Sequence, residues 1–168
     1  MKAWRFTAPG RPLELVDLPD PVAAPGWVVL EVEAAGLCHS DVSIVDGPGM
    51  RWLDTTPLTL GHEVAGTIAE CGERVRAFAA GDRVGVAQLS QPADQEAAGS
   101  VRSAPGISVD GGYVARCMVH TSTLVAIPDG VSFAAAAVAT HCVERGHRGL
   151  EEAPGDHPPQ SVSQARRL

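Results

Sequence analysis

Hydrophobic positions alternate with polar ones in short bursts along this chain, and each burst is closed by a turn signal. Lys2–Phe6 and Leu13–Asp17 read as a first strand pair around Pro9-Gly10. Val28, Leu30 and Val32 alternate with Val29, Glu31 and Glu33, which predicts a half-buried strand running into Gly36. Ser40–Asp46 reads as a short helix with Ser40 as its cap. His62–Glu70 is a second strand-like run, and Gly81-Asp82 turns into a third ending at Val86. Gly111–His120 and Thr123–Ile127 predict two more strands, the second closed by Pro128-Asp129-Gly130. Regular turn spacing with little helix points to a mainly β chain, a barrel or a sandwich.

Composition narrows this picture. Aromatic residues are only 4% of the 168, so the core must be built from Val, Leu, Ile and Ala. The 18 glycines and 13 prolines favour many turns over a helical bundle. The stretch 88–108 is small and polar and reads as a long surface loop. The tail 144–168 has no Phe, Trp, Tyr, Ile or Met and is expected to be disordered, because it buries too little to offset its ordering entropy. The formal net charge of −7 lies entirely before residue 144, with no basic run. Nucleic acid is therefore not an expected partner, since phosphate binding needs a cationic surface. The first residues lack the apolar core of a signal peptide, and the longest apolar run, Phe133 to Ala139, is too short to span a bilayer. No membrane contact and a cytoplasmic location are the expectations. Cys38, Cys71, Cys117 and Cys142 are too dispersed for a disulfide framework.

Two short segments carry candidate chemistry. Cys38-His39-Ser40-Asp41 follows the strand that ends at Gly36, and Gly61-His62-Glu63 precedes another strand. Thiolate and imidazole are the ligands zinc prefers. Their separation matches no compact zinc finger, so by spacing alone Cys38 and His62 read equally as a buried thiol and a hydrogen-bonded imidazole. Cys71 and Cys117 read as small buried hydrophobes.

Five segments in order change that balance: Glu31–Asp41 (EVEAAGLCHSD), Pro57–Gly66 (PLTLGHEVAG), Ala80–Val86 (AGDRVGV), Asp110–Tyr113 (DGGY) and Ile127–Ser132 (IPDGVS). Together they resemble the N-terminal catalytic domain of zinc-dependent medium-chain alcohol dehydrogenases. The resemblance implies a mainly β fold, a GroES-like partly open β-barrel with a few short helices, over residues 1–140. Residues 141–168 form an atypical tail. It implies a catalytic zinc on Cys38 and His62, a Ser40 hydroxyl that takes the proton from an alcohol, and His39 beside the site for cofactor phosphate or proton relay. It also implies that Asp41 orients His62 and that Glu63 lies behind the metal. The third ligand falls to His141 or Cys142, which follow the Ala-rich stretch 133–140, with water or Glu63 as the alternative. A structural zinc is not expected, because 88–108 holds no cysteine.

The family also uses NAD(P), held by a separate Rossmann domain. No Gly-rich turn in a βαβ pattern follows residue 140, so that domain is expected to be absent from this chain, and NAD(P)-linked activity of the chain alone is not expected. A small-molecule alcohol or aldehyde is the expected substrate, with Met50, Trp52 and Leu53 lining the cleft or packing the barrel end. A homo-oligomer is expected to cover the face the missing domain leaves. Two other readings stay open: a cofactor-independent zinc hydratase, hydrolase or lyase, and a non-enzymatic oligomerising module.

Overall fold

The computed structural model describes residues 1–87 and 104–140. The expected loop is therefore described only over 104–108, and the tail, with His141 and Cys142, lies outside the described residues. Among the described residues, eight strands form two antiparallel sheets. Strands β1 (Lys2–Phe6), β2 (Glu14–Asp17) and β4 (Leu58–Thr59) make one sheet, in the order β2-β1-β4. Strands β3 (Trp27–Gly36), β5 (Glu63–Cys71), β6 (Arg83–Val86), β7 (Arg116–His120) and β8 (Leu124–Ala126) make the other, in the order β7-β3-β5-β6-β8. A single bridge from Ala3 to Val114 links β1 to the segment before β7. The two sheets do not close into one, and the mainly β expectation holds.

The expected alternation on β3 holds only in its second half. Val28, Val29 and Leu30 are all buried, and the polar-outward pattern begins at Glu31. The larger core packs Val28 and Leu30 against Val64, Ile68, Val84, Val86 and Val119. All are β-branched or leucine, as the scarcity of aromatics requires. A second core sits at the barrel end, where Phe6, Ile44, Leu58 and Leu60 join β1 and β4 to the helix. The third is made of small side chains: residues 133–140 are helical, and Ala136 and Ala137 lie against Ala65. Alanine lets that helix approach the sheet closely.

Three expectations need correction. The helix α1 runs His39–Asp46, and its cap is Cys38 rather than Ser40. The Asp41 carboxylate accepts the Cys38 backbone N–H at 3.0 Å, so the acid inside the first turn satisfies the donor at its start. Gly111–His120 is not one strand. Only Arg116–His120 pairs with β3, while the N–H groups of Gly111, Gly112 and Tyr113 donate to the carbonyls of Thr59, Gly61 and Leu60. Two glycines and a need to brace the 59–61 turn override the strand-like pattern. Finally, Thr121–Thr123 is a 3-10 turn, so the last strand starts at Leu124.

Candidate metal centre

The site forms where β3 ends and β5 begins. These strands are antiparallel neighbours, and their pairing puts Gly36 opposite Glu63. The chain leaving β3 therefore meets the chain entering β5, which brings Cys38, two residues past Gly36, to His62-Glu63. Ligand-type atoms of Cys38, His62 and Glu63 all lie within 4.8 Å of one another. Donors around one tetrahedral zinc stand about 3.3–3.8 Å apart, given Zn–N and Zn–S bonds of about 2.0–2.3 Å. A thiol, an imidazole and a carboxylate at this spacing fit zinc after a small adjustment of side chains.

Ser40 Oγ lies 3.2 Å from His62 Nε2. Asp41 Oδ1 lies 3.4 Å from His62 Nδ1, and both side chains are buried, Asp41 to 2% exposure. Asp41 is the hub of the site. Its Oδ2 accepts from the Cys38 N–H at 3.0 Å and from the Tyr113 hydroxyl at 3.0 Å. The Gly61 N–H points at Oδ1 from 3.4 Å. Gly61 has φ +94°, a left-handed backbone that a side chain disfavours, and a Cβ there would stand 2.7 Å from the Tyr113 ring. This turn delivers His62 to the site.

Electrostatics follow from that packing. Burial pushes the Cys38 thiol up, but the Ser40 hydroxyl and N–H and the His62 ring outweigh it and hold the thiol below its ordinary value. A lowered thiol is the form a metal takes. Burial pushes His62 down, yet Asp41 and Cys38 raise it overall. Burial pushes Asp41 up, and His62, the Cys38 N–H and Tyr113 more than reverse that. The Tyr113 hydroxyl is driven up by burial and by the Asp41 carboxylate, so it remains a protonated donor.

Cys38, Ser40, Asp41, His62 and Glu63 are thus brought together. His39 is exposed at the first position of α1, beside the cluster rather than in it. Met50 and Leu53 pack on the barrel-end core, while Trp52 is 41% exposed with the Arg51 guanidinium 5.4 Å from its ring. Of these three, Trp52 keeps the most surface for a ligand. Cys117 is buried in the core, and burial with Asp110 nearby pushes its thiol up to about 12; Cys71 is only partly buried. Tyr113 is the site residue that sequence reasoning missed. Its segment reads as a landmark of the family, and nothing in a lone Tyr marks the carboxylate it reaches 72 residues away.

Several known proteins are similar to this chain. The model of the alcohol dehydrogenase GroES-like domain family matches residues 24–129. An alcohol dehydrogenase of Geobacillus stearothermophilus is 34% identical over 137 residues, 76% of this chain and 40% of that protein. An acryloyl-coenzyme A reductase of Sulfurisphaera tokodaii is 30% identical over 165 residues, 92% of this chain and 48% of that one. The solved structure of acetophenone reductase from Geotrichum candidum, in complex with NAD, superimposes with a TM-score of 0.77 at 29% identity. That superposition covers 90% of this chain and 47% of the reductase. The chain spans less than half the length of these relatives. On the family match, the chain belongs to the alcohol dehydrogenase GroES-like domain family.

Proposed function

We propose that residues 1–140 form one zinc-binding catalytic domain for interconverting small alcohols with aldehydes or ketones, with NAD(P), held by a separate Rossmann domain, as the redox partner. One observation carries this reading: Cys38, His62 and Glu63 converge within 4.8 Å at a strand junction. Zinc bound there supplies Lewis acidity, which lowers the pKa of an alcohol or polarises a carbonyl. Cys38 and His62 hold it, with Glu63 as the third donor among the described residues. Asp41 at Nδ1 leaves Nε2 of His62 facing the cluster. A carboxylate at the far nitrogen is the usual way a ligating imidazole is oriented. Ser40 Oγ, 3.2 Å from Nε2, is placed to take the substrate proton, and the exposed His39 next to it can pass that proton outward. Among the described residues there is no strand, Gly-rich turn and helix of the kind that cradles a dinucleotide.

The deciding experiment is metal analysis of protein purified without added metal or chelator. Near-stoichiometric zinc is expected in the wild type, and its loss is expected in both Cys38→Ser and His62→Ala. A wild type that holds no zinc and takes up none on titration overturns the reading. We extend the proposal to a homo-oligomer, because Leu37 at 72% exposure and Val42 at 40% leave apolar surface beside the site. Sedimentation velocity should show a species larger than one chain. A clean monomer at every concentration ends that part. Among the described residues no helix is long and apolar enough to cross a membrane.

A further inference from the structure

We propose that Tyr113 is a positioning residue of the metal centre, setting the His62 ring through Asp41. This rests on the reading of Cys38 and His62 as metal ligands. Two groups of Tyr113 act on the ligand turn at once. Its hydroxyl is 3.0 Å from Asp41 Oδ2 and 3.1 Å from the Gly36 carbonyl, at the end of β3. Its ring lies against Gly61, the residue before His62, where a Cβ would meet it at 2.7 Å. Its own N–H donates to the Leu60 carbonyl at 3.1 Å, and the preceding Gly112 N–H donates to Gly61 at 2.7 Å.

A carboxylate can rotate about its Cβ–Cγ bond, and rotation would move Oδ1 away from the histidine. Asp41 has little freedom to do so. The Cys38 N–H at 3.0 Å and the Tyr113 hydroxyl at 3.0 Å both hold Oδ2, which leaves Oδ1 directed at His62 Nδ1, 3.4 Å away. The Cys38 N–H belongs to a ligand residue and is tied to the helix start. The tyrosine is the outside brace, reaching in from the segment that precedes β7. Removing its hydroxyl frees one of the two anchors on Oδ2, so the imidazole loses part of its fixed orientation while both metal ligands remain.

The test is Tyr113→Phe, which keeps the ring on Gly61 and removes only the hydroxyl. Zinc affinity is read by competition with a chromophoric chelator, and ligand-field absorption is read with Co²⁺ in place of zinc. Affinity is expected to fall about tenfold, the lower end of what loss of an outer partner of a metal ligand costs, with a shifted Co²⁺ spectrum. The same substitution made in an Asp41→Asn background should add nothing, since the path runs through that carboxylate. An unchanged affinity and spectrum overturns the inference, and so does an equal tenfold loss in the Asp41→Asn background. A loss of fold stability alone, seen as a lower melting temperature without a change in affinity, also overturns it. If the wild type binds no metal, the metal reading fails by itself. The His62 ring ¹⁵N shifts in metal-free protein then still decide: they move in Tyr113→Phe if the tyrosine positions the ring and stay fixed if it does not.

Discussion

Asp41→Ala is expected to lower stability by about 3–5 kcal/mol, the cost of removing one member of a buried pair, and to abolish zinc retention. Asp41 is almost fully buried and faces four groups from three parts of the chain: the Cys38 and Gly61 N–H groups, the Tyr113 hydroxyl and the His62 ring. Alanine leaves the Cys38 N–H without its acceptor and the Tyr113 hydroxyl with only the Gly36 carbonyl at 3.1 Å, and a buried donor so stranded costs about 1–3 kcal/mol. A domain of this size is stable by only about 5–15 kcal/mol, so the variant should fold but sit near its limit. Asp41→Asn keeps the volume and one carbonyl oxygen, and its loss should be smaller. Urea unfolding of metal-free protein gives the stability, and metal analysis of the same preparations gives the zinc. A loss below about 1 kcal/mol with zinc retained would mean that Asp41 is an ordinary helix-start carboxylate whose place water can fill.

Gly66→Ala should be nearly as damaging, for a different reason. The cause is proximity: strands β3 and β5 approach so closely here that a Cβ on Gly66 would stand 2.1 Å from the Glu31 carbonyl oxygen and 3.1 Å from its carbon. Both are backbone atoms in the middle of the central strand pair, and neither can swing aside as a side-chain tip can. The strands must separate just where β3 already has an irregularity between Val32 and Ala34. We expect a loss of about 3 kcal/mol, the upper end for an extra methyl forced into a packed interior. The midpoint of urea unfolding reads it, with the slope of the transition unchanged. Gly66 lies four residues from His62, so metal affinity in the folded fraction should fall as well. An alanine variant as stable as the wild type would show that this strand pair is more compliant than its register implies.

The relation between sequence and structure differs from element to element. Lys2–Phe6 is legible to the residue, because a short run with apolar Ala3, Trp4 and Phe6 is closed by the Pro9-Gly10 turn signal. The strand at Arg83–Val86 is legible because Gly81-Asp82 precedes it. The two-residue strand Leu58–Thr59 and the split of the strands into two sheets carry no local pattern. The strand exists because β1 runs past it, and the split comes from pairings between distant segments. The helix cap is Cys38, although Ser40 is the stronger capper by type. A carboxylate in the first turn moved the boundary two residues back, since it was held there by Tyr113 and Gly61 from elsewhere in the fold.

The candidate metal centre divides the same way. Residue types make Cys38 and His62 candidate ligands, since thiolate and imidazole are what zinc prefers, while Glu63 enters only as an alternative third ligand through the family resemblance that the ordered segments carry. Separation along the chain leaves their convergence undecided, because 24 residues can lie near or far apart in space. The β3–β5 register decides it by pairing Gly36 with Glu63. The same register fixes which groups surround Asp41, and it turns Tyr113 from a landmark into part of the site. Chemistry of a side chain is local and can be read from the sequence; adjacency of side chains is set by strand pairing and packing over long loops, which only the folded chain determines.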